Sequence, residues 1–255
     1  MNWQDDLRVA ISELQIKVQT TLSDDLSEVT ATNPFAEGLF DVLQPTPLID
    51  ISEWAEQYRV LSSSGSAEPG PWRNNRTPYL VEIMKELSPR GKHREIVFMK
   101  SARLGATESG INMMLYNMHI NPCSMLYLLP SEQLCRKLSR ANITPSIEMC
   151  EVVKNKINKK TGNAILEKVY TGGMTTMVGS NSPNAFSTIG YPVVVADEID
   201  RFPVSVGDEG DPIALIKNRL DTYVRGKLYC LSTPTTKQAS VIAKLYEDSD
   251  RRKYL

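Results

Sequence analysis

Three short apolar runs, each broken off by a polar cluster, constrain the fold of this chain most. EIVFM at 95–99 runs into KSARLGATES, YPVVVAD at 191–197 runs into EID, and KLYCLS at 227–232 runs into TPT. A short unbroken apolar run fits a strand buried on both faces, as strands of parallel sheets are. SMLYLL at 124–129 belongs to the same set, and helical stretches follow from about Thr107 to His119 and from Ser131. Strands alternating with helices predict an α/β fold: a mainly parallel sheet with helices on both faces. Ligands of such sheets gather at the carboxyl ends of the strands, so the three polar clusters form the candidate site. ILEKVY (165–170) and MTTMVG (174–179) read as a hairpin across Gly172 and Gly173. Upstream, Ser52 opens a capped short helix reaching Tyr58, and residues 79–87 repeat apolar side chains at helical spacing.

Composition narrows the function. At 255 residues, 41% hydrophobic and 23% charged, the chain is an ordinary globular one, which excludes wholesale disorder, collagen-like and coiled-coil readings. A net charge of −1 excludes a strongly basic coat protein, but the charge is unevenly spread. Residues 1–60 hold 11 acids and 3 bases, whereas residues 134–168 hold 8 bases and 3 acids. The first 48 residues read as an acidic segment and linker, and 49–255 as the folded domain. Lys156, Lys159 and Lys160 in the basic strip are candidates for contact with a phosphate backbone, against the plainer reading of a solvated helix face. No apolar run approaches the about 18 residues that a membrane span needs, and MNWQDDLRVA lacks the apolar core of a secretion signal. Four cysteines without CxxC spacing read as reduced packing residues in a cytosolic protein.

The cluster after the first run, Lys100-Ser101-Ala102-Arg103-Leu104-Gly105-Ala106-Thr107, lies between a strand and a helix, where phosphate-binding loops lie. It departs from the strict pattern G-x-x-x-x-G-K-[ST]: Ala106 stands at the lysine position and Lys100 at the first glycine. A cation can still reach the phosphates from Lys100 or Arg103, because position in space matters more than register. VVVADEID at 193–200 matches a strand that ends in a Mg²⁺-associated carboxylate, Asp197, followed by a water-activating one, Glu198. Adjacent strand residues face opposite sides, so the pair can act together only if the strand stops between them. LSTPT at 231–235 supplies Ser232 and Thr233, small hydroxyls suited to sensing a γ-phosphate. The rival chemistry is two-metal hydrolysis by Asp197, Glu198, Asp200, Asp208, Glu209 and Asp211, although such sites usually draw carboxylates from separate strands. A Ser/His/Asp hydrolase fits poorly, with His93 and His119 the only histidines and no G-x-S-x-G elbow.

Taken together, SEWAEQYRVLSSSGSAEPGPWRNNRTPY (52–79), KSARLGATES, GSNSPNAFSTIGYPVVVADEIDRFP (179–203), GDEGDP (207–212) and LSTPT resemble the large terminase subunit of lambda-like tailed phages. The resemblance covers roughly 50–236, and the early lysine is what that family shows in its variant loop. It implies a P-loop NTPase fold of the additional-strand, catalytic-glutamate class. It further implies an ATPase motor that translocates double-stranded viral DNA into a procapsid. Residue by residue, Lys100 and Arg103 would hold the β/γ-phosphates, with residues 100–107 binding nucleotide. Thr107 and Asp197 would hold Mg²⁺, Glu198 would orient and deprotonate water, and Ser232 and Thr233 would couple hydrolysis to movement. Tyr58 lies where an adenine-stacking aromatic is expected, with Arg76 and Tyr79 as further candidates.

The resemblance also implies partners: a small terminase subunit docking on the acidic N-terminal segment, the portal protein, and self-association into a ring. A neighbour in that ring would supply an arginine, with Arg201, Arg219 and Arg225 as donors left open. The location implied is the host cytoplasm, at the procapsid portal, with no membrane. Two departures are plain: there is no Arg near Phe186, and the chain stops at Leu255, before a C-terminal nuclease domain would begin. The expectation is an ATPase fragment that does not cut DNA. The alternatives are a helicase-like translocase, or a docking module with a degenerate nucleotide site.

Overall fold

In the computed structural model of the chain, the described residues are 49–250, except 64–65, 67, 159–161, 183–189 and 237–238. Contacts divide the chain into Met1–Leu48 and Ile49–Leu255, and the described residues lie in the second unit. Lys159, Lys160, the acidic N-terminal segment and the Phe186 region therefore lie outside the described residues.

The elements in chain order are α1 (Ile51–Tyr58), β1 (Val60–Leu61), β2 (Gly70–Pro71), α2 (Pro78–Leu87), β3 (Glu95–Met99), α3 (Ala106–His119), β4 (Met125–Leu129) and α4 (Glu132–Leu138). A π-helical turn (Ser139–Ile143) leads into α5 (Thr144–Met149) and α6 (Glu151–Lys154). Then follow β5 (Glu167–Tyr170), β6 (Gly173–Gly179), β7 (Val193–Asp197), α7 (Pro212–Leu220), β8 (Lys227–Ser232) and α8 (Val241–Glu247). The main sheet has six strands in the order β3-β8-β7-β4-β6-β5. All neighbours pair parallel except β5 with β6, the hairpin expected from the sequence.

Strand alternation sorts the core into two layers. Tyr127, Leu129, Val193, Val195, Tyr229 and Leu231 pack on one face, together with apolar side chains of α1 to α3. Leu126, Leu128, Val194, Ala196, Leu228 and Cys230 pack on the other, against Ile213, Ile216 and Leu220 of α7 and Ile242 of α8. Both faces are covered, which is why the central strands carry no polar alternation. Helix α3 lies so close to the sheet that a Cβ on Gly110 would stand 3.2 Å from Val195 Cγ1 and 3.3 Å from the Tyr127 hydroxyl.

Capping follows local chemistry, with one change from expectation. The N-cap of α1 is Asp50, which accepts from the amides of Ser52 and Glu53 and forms a capping box with Glu53. Ser52 instead lies in the first turn, donating its hydroxyl to Asp50 at 2.6 Å. Ser131 caps α4 as expected, accepting from the amide of Leu134. Two lysines are buried, one of them, Lys168, a member of the basic strip. Lys168 donates to Thr144 Oγ1, Asn163 Oδ1 and the Ala164 carbonyl at 2.7–3.0 Å, and burial pushes its pKa down to about 8. The Lys227 amine donates to the carbonyls of Glu86, Gly91 and His93 at 2.6–2.9 Å, closing the end of α2. Among the described residues, no helix is long and apolar enough to cross a membrane.

Candidate nucleotide site

Parallel register brings the three clusters together. Met99 pairs with Ser232, and Asp197 with Leu231, so β3, β8 and β7 end level with one another. The strand β8 lies between the other two, and each polar cluster begins where its strand stops. The Lys100 amide donates to the Ser232 carbonyl at 3.1 Å and the Glu198 amide to the Leu231 carbonyl at 2.8 Å, extending both pairings one step past the strands.

From there the side chains converge. Lys100 is 8% exposed, and its amine lies 3.4 Å from Glu198 Oε1 and 3.4 Å from the Thr233 hydroxyl. Strand β7 does stop between its two acids: Asp197 is its last residue, and Glu198 takes a left-handed conformation with φ 61°. That reversal is uncommon for a glutamate. It leaves Glu198 partly exposed beside Lys100, while Asp197 remains buried.

Asp197 accepts from the Thr107 hydroxyl at 2.9 Å and from the Tyr127 hydroxyl at 3.1 Å, both on Oδ2. Its other oxygen, Oδ1, is buried without a hydrogen-bond partner among the described residues. Burial raises its pKa to about 6, against the lowering effect of the two hydroxyl donors. A desolvated carboxylate with one unmatched oxygen beside a hydroxyl is a donor set suited to a hard cation.

The loop itself makes a tight turn. Arg103 has φ 65° and Gly105 φ 72°. Gly105 is the N-cap of the 14-residue α3 and no side chain caps it, so the first-turn amides of α3 are available to an anion. Arg103 is exposed, unlike Lys100. Tyr79 donates its hydroxyl to the Leu104 carbonyl at 3.1 Å, joining α2 to the loop. Arg76 precedes α2 and pairs with Glu68 at 3.3 Å.

Tyr58 is placed elsewhere. It packs edge-on against His119, with ring centres 5.4 Å apart, and also against Trp54. His119 ends α3, about 20 Å of helix away from Gly105. The ring expected to stack on adenine thus packs in an aromatic cluster at the far end of α3 and is not brought together with the loop residues.

Two site residues, Tyr127 and Arg59, escaped sequence reasoning, and a third, Asp200, takes a different part from the metal-binding one weighed for it. Tyr127 is buried mid-strand in β4, and its hydroxyl holds Asp197. A tyrosine inside an otherwise aliphatic buried strand is the signal that was available, because its hydroxyl needs a partner. Tyr127→Phe leaves part of that buried carboxylate unsatisfied and should cost about 1–3 kcal/mol in denaturant unfolding. An unchanged unfolding midpoint would show the bond contributes nothing. Asp200 accepts from the amides of Thr235 and Ile242 at 2.7 and 2.8 Å, tying the turn after Glu198 to the segment after β8. Partial burial would raise its pKa, but the Ile242 and Thr235 bonds hold it below the ordinary aspartate value. Arg59 is buried against Glu108 at 2.8 Å, one residue past Thr107. The acid stretch does not act as one cluster: Asp200 is committed as described, and Asp211 caps α7 through the amide of Ala214.

The model of the family described as phage terminase large subunit gpA, ATPase domain, matches residues 66–255. The chain belongs to this family. The terminase large subunit of Enterobacteria phage P21 is 25% identical over 233 residues, covering 89% of this chain and 36% of that protein. The large subunit of Escherichia phage lambda is 22% identical over 217 residues, covering 83% of this chain and 33% of that protein. The chain thus spans about a third of the length of these relatives. The crystal structure of the HK97 bacteriophage large terminase superposes with a TM-score of 0.60 at 11% identity, covering 80% of this chain and 41% of that one. That similarity shows the fold, the P-loop NTPase architecture of this terminase family. The family's match starts before the loop and runs past β8, so all three strand ends of the site lie inside it.

Proposed function

We propose that this chain is the ATP-hydrolysing motor domain of a phage DNA-packaging terminase. The observation that carries the reading is the Lys100 amine held between Glu198 and Thr233, opposite the Thr107–Asp197 pair. Binding of triphosphate falls to the first-turn amides of α3 and to Lys100. Thr107 and Asp197 would hold Mg²⁺, with the unmatched Asp197 Oδ1 supporting the fit. Bound there, the ion would neutralise charge on the β- and γ-phosphate oxygens.

Glu198 is the water-activating base. Without nucleotide it is paired with Lys100 at 3.4 Å and lies 3.8 Å from Arg201 Nε. A carboxylate oxygen occupied by an amine is not open to a water molecule. An arriving triphosphate competes for Lys100 and leaves Glu198 free to orient water and take its proton. Thr233 and Ser232 lie between these groups and the segment that Asp200 grips, so loss of the γ-phosphate has a physical route into 233–242. Arg103, being exposed, takes a secondary place.

In the assembled machine the remaining partners are double-stranded viral DNA, the small terminase subunit, the portal protein and further copies of the chain in a ring, in the host cytoplasm. The first test is phosphate release by the chain from ATP with Mg²⁺. Slow turnover is expected from an isolated copy, because an arginine supplied in trans is commonly worth about 10³–10⁵ in rate. Failure to bind or cleave ATP, even at concentrations that assemble the ring, would favour a docking module with a degenerate site.

A further inference from the structure

The basic strip read from the sequence divides once its residues are placed. Lys168 is buried and Lys154 pairs with Glu148 at 3.4 Å. Arg136, Lys137 and Arg140 instead line one shallow, open depression of about 620 Å³ on α4 and the π-turn, together with Gln133, Leu134 and Ala141. Arg136 shares Glu132 at 2.6 Å, whereas neither Lys137 nor Arg140 has a carboxylate partner among the described residues. We propose that this depression seats the phosphate backbone of duplex DNA, a proposal that rests on reading the chain as a DNA-translocating motor.

Three observations favour that occupant. Arg136 and Arg140 are four residues apart, roughly 6 Å along a helix, close to the rise of two nucleotides at about 3.4 Å each on one strand. The cations share one exposed face of α4 and the π-turn, and two of the three keep their charge unpaired, as a sequence-independent grip on phosphate requires. Finally, the depression is wired to the nucleotide site. Helix α4 follows β4, whose carboxyl end lies on the same rim as those of β7 and β8. Asn142 in the π-turn donates to Glu108 Oε1 at 3.1 Å, and Glu108 neighbours Thr107 and pairs with Arg59. Single π-turns within helices recur at functional positions. A load on this turn therefore reaches the first turn of α3 through one hydrogen bond.

The test is binding of the full chain to a fluorescent 30-base-pair duplex across a salt series. Lys137→Glu with Arg140→Glu should weaken binding by about 30-fold or more at 100 mM salt and lower the slope of log K against log salt by about 2, near 0.9 per lost phosphate contact. The same charge change at Lys85 and Lys244, both exposed and outside the depression, should alter affinity by less than about threefold. A melting temperature within about 2 °C of the parent confirms that each double variant is folded. Equal weakening by both double variants would reduce the effect to net charge and overturn the seat, as would an unchanged affinity and slope. A chain that turns over ATP but does not bind the duplex loses the seat and keeps the hydrolytic reading. A chain inert towards ATP, yet losing duplex binding only through Lys137 and Arg140, keeps the seat and loses the motor reading.

Discussion

Glu198→Gln should reduce ATP turnover by at least about 10²-fold while leaving ATP binding intact, since general-base catalysis is commonly worth about 10²–10⁴. The amide keeps nearly the same shape and still accepts from Lys100, but it cannot take a proton from water. The structure adds a second, sharper expectation. Lys100 and Glu198 form a pair that is mostly withdrawn from water, with side-chain exposures of 7% and 26%. Triphosphate must draw the amine away from that carboxylate. With glutamine there, the amine starts without a charged competitor, so ATP should bind as tightly as to the parent or up to about tenfold tighter. Single-turnover phosphate release together with equilibrium binding of a fluorescent ATP analogue separates the two quantities. Parental turnover would remove Glu198 from the chemistry. Loss of turnover with equally weakened binding would recast it as a structural partner of Lys100.

The three clusters were legible because each ends a strand, and a strand end is visible as the point where an apolar run stops. Their adjacency was not legible. Lys100 meets Glu198 and Thr233 only because β8 inserts between β3 and β7, and strand order is set by packing between segments about 130 residues apart. The separate fates of Asp197 and Glu198 were anticipated as a condition, and the left-handed turn at Glu198 meets it. Charge was the least dependable guide. Lys168 belongs to the basic strip, yet its amine, like that of Lys227, is enclosed by neutral oxygens of its own fold, so neither contributes to a polyanion site. Local sequence cannot distinguish an enclosed lysine from a solvated one, because its acceptors are carbonyls that every residue carries. The surroundings of Tyr58 were not legible for a related reason. Its short helix was correctly anticipated, but where that helix docks along α3 decides which end of α3 the ring meets.

The larger loss at the binding step should come from Lys100→Ala. The amine is the buried cation of the loop, and removing it strips a charge-assisted contact with phosphate, worth about 1.5–3 kcal/mol, or roughly 10–150-fold in ATP affinity. Turnover should fall further still, because charge on the phosphate oxygens grows towards the transition state and the same amine would meet it there. Arg103→Ala provides the contrast. Arg103 is exposed and has no carboxylate partner among the described residues, so its loss should change affinity by less than about threefold. Lys100→Arg should not restore activity, since a planar guanidinium does not fit a slot shaped for an amine between Glu198 and Thr233. Titrating the three variants with ATP and Mg²⁺ decides which cation carries the site. Parental binding by Lys100→Ala alongside collapse in Arg103→Ala would transfer the phosphate contact to the exposed arginine and require the loop to rearrange around nucleotide.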